Sequence, residues 1–169
     1  MSRPDLSRVP EPFHKYINQA KHDDVLKAID KNGKDFLKLM KSIPKNKYVY
    51  AYGEGKWTLK EVFQHIIDAE RVFAYRAVCI ARGEQQSLPG FDENDYAAHS
   101  KANARDWDDM IEEFKHVRKS TSWLFRSFDN EQLDANGISN QTPVYVLAFG
   151  FIIPGHCQHH MKIIKERYL

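Results

Sequence analysis

Four stretches of the chain repeat apolar residues every three to four positions, and no segment alternates apolar and polar residues convincingly as a half-buried strand does. The first stretch runs from about Asp23 to Ser42, with Val25, Leu26, Ile29, Phe36, Leu37 and Met40 on one stripe and Pro44 just beyond its end. The acids Asp23 and Asp24 suit a helix start, where they complement the dipole. The second opens at Trp57-Thr58, where Thr58 and Glu61 have capping-box spacing, and continues to about Arg82 before Gly83. The third spans about Asn103 to Phe128, with Trp107, Met110, Ile111, Phe114, Val117, Leu124 and Phe125 on a single face. The fourth is expected to begin with Thr142 as N-cap and Pro143 at the first helical position, and to run to the C-terminus with a kink at Pro154.

Four amphipathic helices of this length make an all-α four-helix bundle the natural solution. Residues 1–22, with Pro4, Pro10 and Pro12, read as an N-terminal arm, extended except for a short amphipathic turn around Phe13, Tyr16 and Ile17. The bundle domain then covers residues 23–169. Residues 84–100 read as a long loop between the second and third helices, longer than a bundle connection needs and therefore of functional interest.

Composition narrows the class. The chain has 169 residues, enough for a core without disulfides or metal staples. Its net charge of +2 argues against a nucleic-acid binder and against a polybasic membrane-surface protein. Its longest apolar-rich stretch, Val144 to Pro154, is too short to span a bilayer. The N-terminus lacks the apolar core of a signal peptide, and Cys79 and Cys157 form no disulfide framework, which together predict a reduced, cytoplasmic protein.

The unusual count is histidine, at eight. His156 and His160 are one turn apart on the fourth helix, a separation of about 40° around its axis, which is the spacing with which a helix offers two nitrogens to one ion. Phe149, Ile152 and Ile163 share their face, so both imidazoles point into the bundle. His65, centred on the inward stripe of the second helix, is the candidate third ligand. Three histidines with an open position describe a catalytic type of site, and zinc, nickel and iron(II) all accept imidazole. For these residues alone, hydrogen-bonded core histidines are an equally good interpretation. His14, His22, His99 and His116 read as surface residues, and His159 lies to one side of His160.

Two further residues are candidates. Asp68, one turn after His65, can orient an imidazole or act as a base, or else simply pair with Arg71 or Arg76. Arg76 lies about 20° from His65 around the helix and can hold a substrate carboxylate. Cys157 replaces the Glu of an HExxH metalloprotease pattern, and its direction reads as packing.

The run Lys56-Trp57-Thr58-Leu59-Lys60-Glu61-Val62-Phe63-Gln64-His65-Ile66-Ile67-Asp68-Ala69-Glu70-Arg71, the Leu88-Pro89-Gly90-Phe91-Asp92-Glu93 loop and the segment Gly155-His156-Cys157-Gln158-His159-His160 together resemble the DinB-like family over roughly residues 23–169. Cys157 stands where family members often carry Glu. The resemblance implies a four-helix bundle and a divalent metal on His65, His156 and His160, and it implies a homodimer. It also implies either S-transfer with a low-molecular-weight thiol such as bacillithiol or mycothiol, or metal-dependent hydrolysis, in each case on a small molecule. The missing Glu favours the thiol, because a thiolate needs less base assistance than water. A non-enzymatic bundle that binds a small ligand or a partner, with a structural metal, is the alternative.

Overall fold

The computed structural model describes residues 3–169; Met1 and Ser2, the first two residues of the expected arm, lie outside the described residues. Four long helices form the bundle: α2 (Val25–Ser42), α3 (Leu59–Ala81), α5 (Trp107–Ser127) and α7 (Val146–Arg167). Three short ones complete the helical set among the described residues: α1 (Glu11–Gln19), α4 (Glu93–His99) and α6 (Asn130–Asp134). No helix among the described residues is long and apolar enough to cross a membrane.

The long helices start where local chemistry tells them to. The Asp24 carboxylate accepts a hydrogen bond from the Lys27 amide at the head of α2. Thr58 and Glu61 form the reciprocal capping box of α3: the Thr58 hydroxyl accepts from the Glu61 amide at 3.2 Å, and the Glu61 carboxylate accepts from the Thr58 amide at 2.7 Å. Asp106 caps α5 by accepting from the amides of Asp108 and Asp109. The predicted stripes are inside, with Phe36, Phe63, Phe114, Phe149 and Ile152 all fully buried.

Three segments differ from expectation. Residues 84–100 are not loop throughout, because Asp92 caps the seven-residue helix α4 by accepting from the amides of Asn94 and Asp95. The fourth helix does not begin at Thr142. Thr142–Tyr145 is instead a strand, β2, paired antiparallel with β1 (Asn136–Ser139), and α7 starts at Val146. Asn140 and Gln141 turn the hairpin with φ of 50° and 61°, the left-handed pair that a two-residue turn requires. Pro143 sits opposite Ile138, the alternate position at which an antiparallel ladder calls for no N–H. In α7 the helix continues through Pro154, whose missing N–H leaves the Gly150 carbonyl without its helical donor.

The third difference is the N-terminal segment, where a nine-residue helix replaces the short turn. Pro12 occupies its first turn, where a missing N–H costs nothing. At the other end Arg3 donates to the carbonyls of Ile17 at 2.9 Å and Ala20 at 2.5 Å. Helix α1 lies directly on α7. A Cβ at Gly155 would stand 1.9 Å from the Tyr16 carbonyl oxygen, so only glycine permits the approach. Gly155→Ala is therefore expected to push α1 off its dock, at about 1–3 kcal/mol. Limited proteolysis should then cut within residues 11–20 before any other part of the variant, whereas a wild-type digestion pattern would contradict the contact.

Candidate metal centre

Helix α3 supplies His65 from the middle of its buried face, and α7 supplies His156 and His160 one turn apart. The Nε2 atom of His156 is 3.0 Å from that of His65 and 3.1 Å from that of His160. One ligand atom from each of the three residues falls within a group whose members are all within 4.8 Å of one another. Donors about 2.0–2.1 Å from a tetrahedral ion are separated by roughly 3.3 Å, which the two spacings from His156 approach. Hydrogen bonding serves the cluster less well, because a neutral imidazole has one N–H and His156 Nε2 faces two neighbours.

Burial keeps the cluster uncharged. It pushes His65 down to about 4 and is the main cause that holds His156 and His160 well below the usual histidine range, with mutual repulsion among the three adding to it for His156 and His160. Neutral imidazoles with free lone pairs are what a metal ion binds. Phe73 and Tyr16 present ring edges to His156 at 5.8 and 5.2 Å, and Trp57 lies tilted 4.9 Å from His65. His159 remains outside the cluster. Its ring packs 5.5 Å from Tyr16, and burial and then Lys15 lower its pKa.

The histidines open onto a cavity of about 360 Å³. Arg76 lines it, as the sequence suggested, although the residue is 96% buried. Its Nη2 donates to the Pro89 carbonyl at 2.7 Å, and burial lowers its pKa. Asp68 does not line this cavity. Its carboxylate accepts from Gln64 at 2.9 Å, stands 3.6 Å from Arg71, and faces a separate groove shared with Asp95, Tyr96 and His99. Burial raises the Asp68 pKa, and the Gln64 and Arg71 contacts oppose that shift. The carboxylate that does line the cavity is Glu93 at the start of α4, which also acts on His65 through its charge. Glu93, Tyr16, Phe91 and the hairpin residues were not read as site residues from the sequence. The signals pointing toward some of them were the length of the 84–100 connection, the family-like run Leu88 to Glu93 and the amphipathic turn around Tyr16.

Cys157 is buried behind the cluster, and burial pushes its thiol up to about 12. It is a packing residue and supplies no nucleophile. Iodoacetamide is expected to modify Cys79 alone in the native protein, with Cys157 reacting only after denaturation. Mass spectrometry of the two digests checks this, and native labelling of Cys157 would overturn it.

With the bundle and its histidine cluster defined, comparison with known proteins gives the class. Residues 28–164 match the model of the DinB superfamily. The chain belongs to that superfamily. Its fold matches YfiT from Bacillus subtilis, described as a probable metal-dependent hydrolase with an unusual four-helix bundle topology, with a TM-score of 0.70 and 17% identity over 96% of this chain and 89% of that one. It also matches the mycothiol-dependent maleylpyruvate isomerase, with a TM-score of 0.64 and 10% identity over 95% of this chain and 62% of that one. At such identities the likeness concerns the fold. No curated protein matches the chain in sequence.

Proposed function

We propose that the protein is a metal-dependent enzyme acting on a small molecule, with His65, His156 and His160 holding a divalent ion such as zinc, nickel or iron(II). The observation that carries this is the convergence of three neutral imidazoles, two buried and one half-buried, at the wall of a cavity. When bound, such an ion lowers the pKa of a thiol or a water and so supplies the nucleophile. The surrounding side chains favour the thiol. Water attack calls for a base beside the metal; position 157 carries a neutral Cys and the Asp68 carboxylate faces another groove, which leaves Glu93, on α4 and not on the helices that carry the histidines, as the carboxylate in the lining. A thiolate needs no such base. The aromatic rings of Tyr16, Trp57 and Phe73 flank the histidines and offer an apolar surface to the body of an electrophile. The cosubstrate in this reading is a low-molecular-weight thiol, as it is for the mycothiol-dependent isomerase that shares the fold.

The test is consumption of bacillithiol, mycothiol or glutathione with a chromogenic electrophile, using protein loaded separately with zinc, nickel and iron(II). Metal-dependent turnover that disappears in His160→Ala supports the proposal. Thiol consumption that is equal with and without metal, or unchanged by His160→Ala, overturns it. So does a metal-loaded protein that gains thermal stability but turns over none of the three thiols.

A further inference from the structure

The chain buries two arginines, and they are satisfied differently. Arg118 is held by the Glu70 carboxylate, with Nε–Oε1 and Nη2–Oε2 both at 2.8 Å, and by the side chain of Asn32 at 2.9 Å. Arg76, equally buried, has one carbonyl partner, Pro89, and no carboxylate within ion-pair distance among the described residues. A guanidinium has five N–H donors, and burying its charge without a counterion is costly. Arg76 is not stranded in the core, however, because it lines the cavity onto which the histidines open.

The surroundings of Arg76 are polar on one side. Its partner Pro89 precedes Gly90, and Gly90 lies so close to the Asn140 side chain that an added Cβ would stand 2.5 Å from Oδ1. The hairpin is stitched to this segment, since Leu88 donates to the Ile138 carbonyl at 3.0 Å and the Asn140 amide donates to the Leu88 carbonyl at 2.8 Å. This brings Ser139, Asn140 and Thr142 to the same cavity wall. The hydroxyl of buried Ser139 and the side-chain amide of Asn140 make no hydrogen bond within the described residues. Phe73 connects the two ends of the cavity. Its ring centroid is 6.0 Å from the Arg76 guanidinium and 5.8 Å from the His156 ring, so the two polar groups are separated by no more than the sum of those distances.

We propose that Arg76, with Ser139 and Asn140, is a carboxylate subsite, and that the substrate is a small molecule with an apolar body bearing one carboxylate. The missing partner of Arg76 is supplied by the ligand. Its apolar body lies along Phe73 and Phe91, placing its other end before the histidines. A single carboxylate fits better than a phosphate for reasons of charge. The lining contains one arginine, no lysine and one acid, Glu93, so at the Arg76 end of the cavity a dianion would meet a single positive charge. A planar guanidinium also matches a carboxylate in a bidentate fashion. This rests on the cavity being the substrate site, as in the proposed function, but not on the metal.

The experiment is calorimetric titration of metal-free protein with 4-phenylbutyrate and with its neutral amide, alongside a separate zinc titration. Wild type is expected to bind the carboxylate at least tenfold more tightly than the amide. Arg76→Gln is expected to abolish that preference, and Arg76→Lys to retain part of it. Should Arg76→Gln fail to fold by circular dichroism, the Ser139→Ala/Asn140→Ala pair takes its place and should reduce the preference several-fold. Equal affinity for the two probes in wild type, no binding of either, or a preference untouched by the substitutions overturns the subsite. Phenyl phosphate binding more tightly than 4-phenylbutyrate overturns the choice of a carboxylate. Failure of zinc binding with the carboxylate preference intact overturns the metal-dependent function and leaves the subsite standing; the reverse result removes the subsite alone.

Discussion

His156→Ala is expected to reduce bound metal from about one ion per chain to almost none, with affinity falling at least the roughly 100-fold that even outer-shell changes can cost. His156 is the residue to choose because its Nε2 is the close neighbour of both other ligand nitrogens, at 3.0 and 3.1 Å. Its loss leaves two imidazoles on different helices. The wild type should also be stabilised by metal. At a free ion concentration one hundred times Kd the linkage amounts to about 2.7 kcal/mol, which for a domain of this size is roughly 5–10 °C in melting temperature. The variant should show no such shift. His159→Ala is the control, because that ring lies beside the cluster and packs on Tyr16. Retention of a full equivalent of ion by His156→Ala would exclude this centre.

The largest loss of stability is expected from Glu70→Gln. Glu70 on α3 and Arg118 on α5 form an ion pair with both side chains almost wholly buried. Arg118 also donates to the Ile29 carbonyl and to Asn32 on α2, so one guanidinium joins three of the four long helices. Removing the carboxylate leaves a buried cation with neutral partners, a change that costs about 3–5 kcal/mol. In thermal denaturation that corresponds to a drop of roughly 6–20 °C. Replacing both members by apolar residues, Glu70→Leu with Arg118→Met, should recover most of the loss, because no unpaired charge is then left inside. Urea denaturation of the three proteins separates the outcomes. A Glu70→Gln variant as stable as wild type would mean that the pair contributes little.

The architecture was legible where a signal accumulates over many residues. Stripes of 18 to 23 residues, started by Asp24 and by the Thr58–Glu61 box, identify α2 and α3 without ambiguity. The same angular reasoning brought His65, His156, His160 and Arg76 to one interior. It failed for short elements. Strands of four residues carry too few positions to reveal alternation, and the Asn140-Gln141 turn lacks the glycine that usually marks a tight hairpin. Thr142-Pro143 carries the chemistry of a helix start, and only pairing with residues 136–139 makes it a strand. Asp68 shows a different limit. A helical wheel gives the direction of a Cβ, but the carboxylate is drawn to Gln64 and Arg71 and faces another groove. Nothing in the segment around Arg118 announces that Glu70, 48 residues earlier, will meet it.

The close approach of Tyr16 to Gly155 also has a consequence in time. A ribosome makes α1 before any of the helices it will touch, and Gly155 is among the later residues to follow it. Helices α2, α3 and α5 can pair while α7 is still being made, but His156, His160 and the aromatic cover supplied by α1 can come together only afterwards. Until then the growing chain offers an ion a single one of the three histidines. An ion held by all three histidines would therefore be bound only as the cavity closes, when the walls that define its ligand also come together.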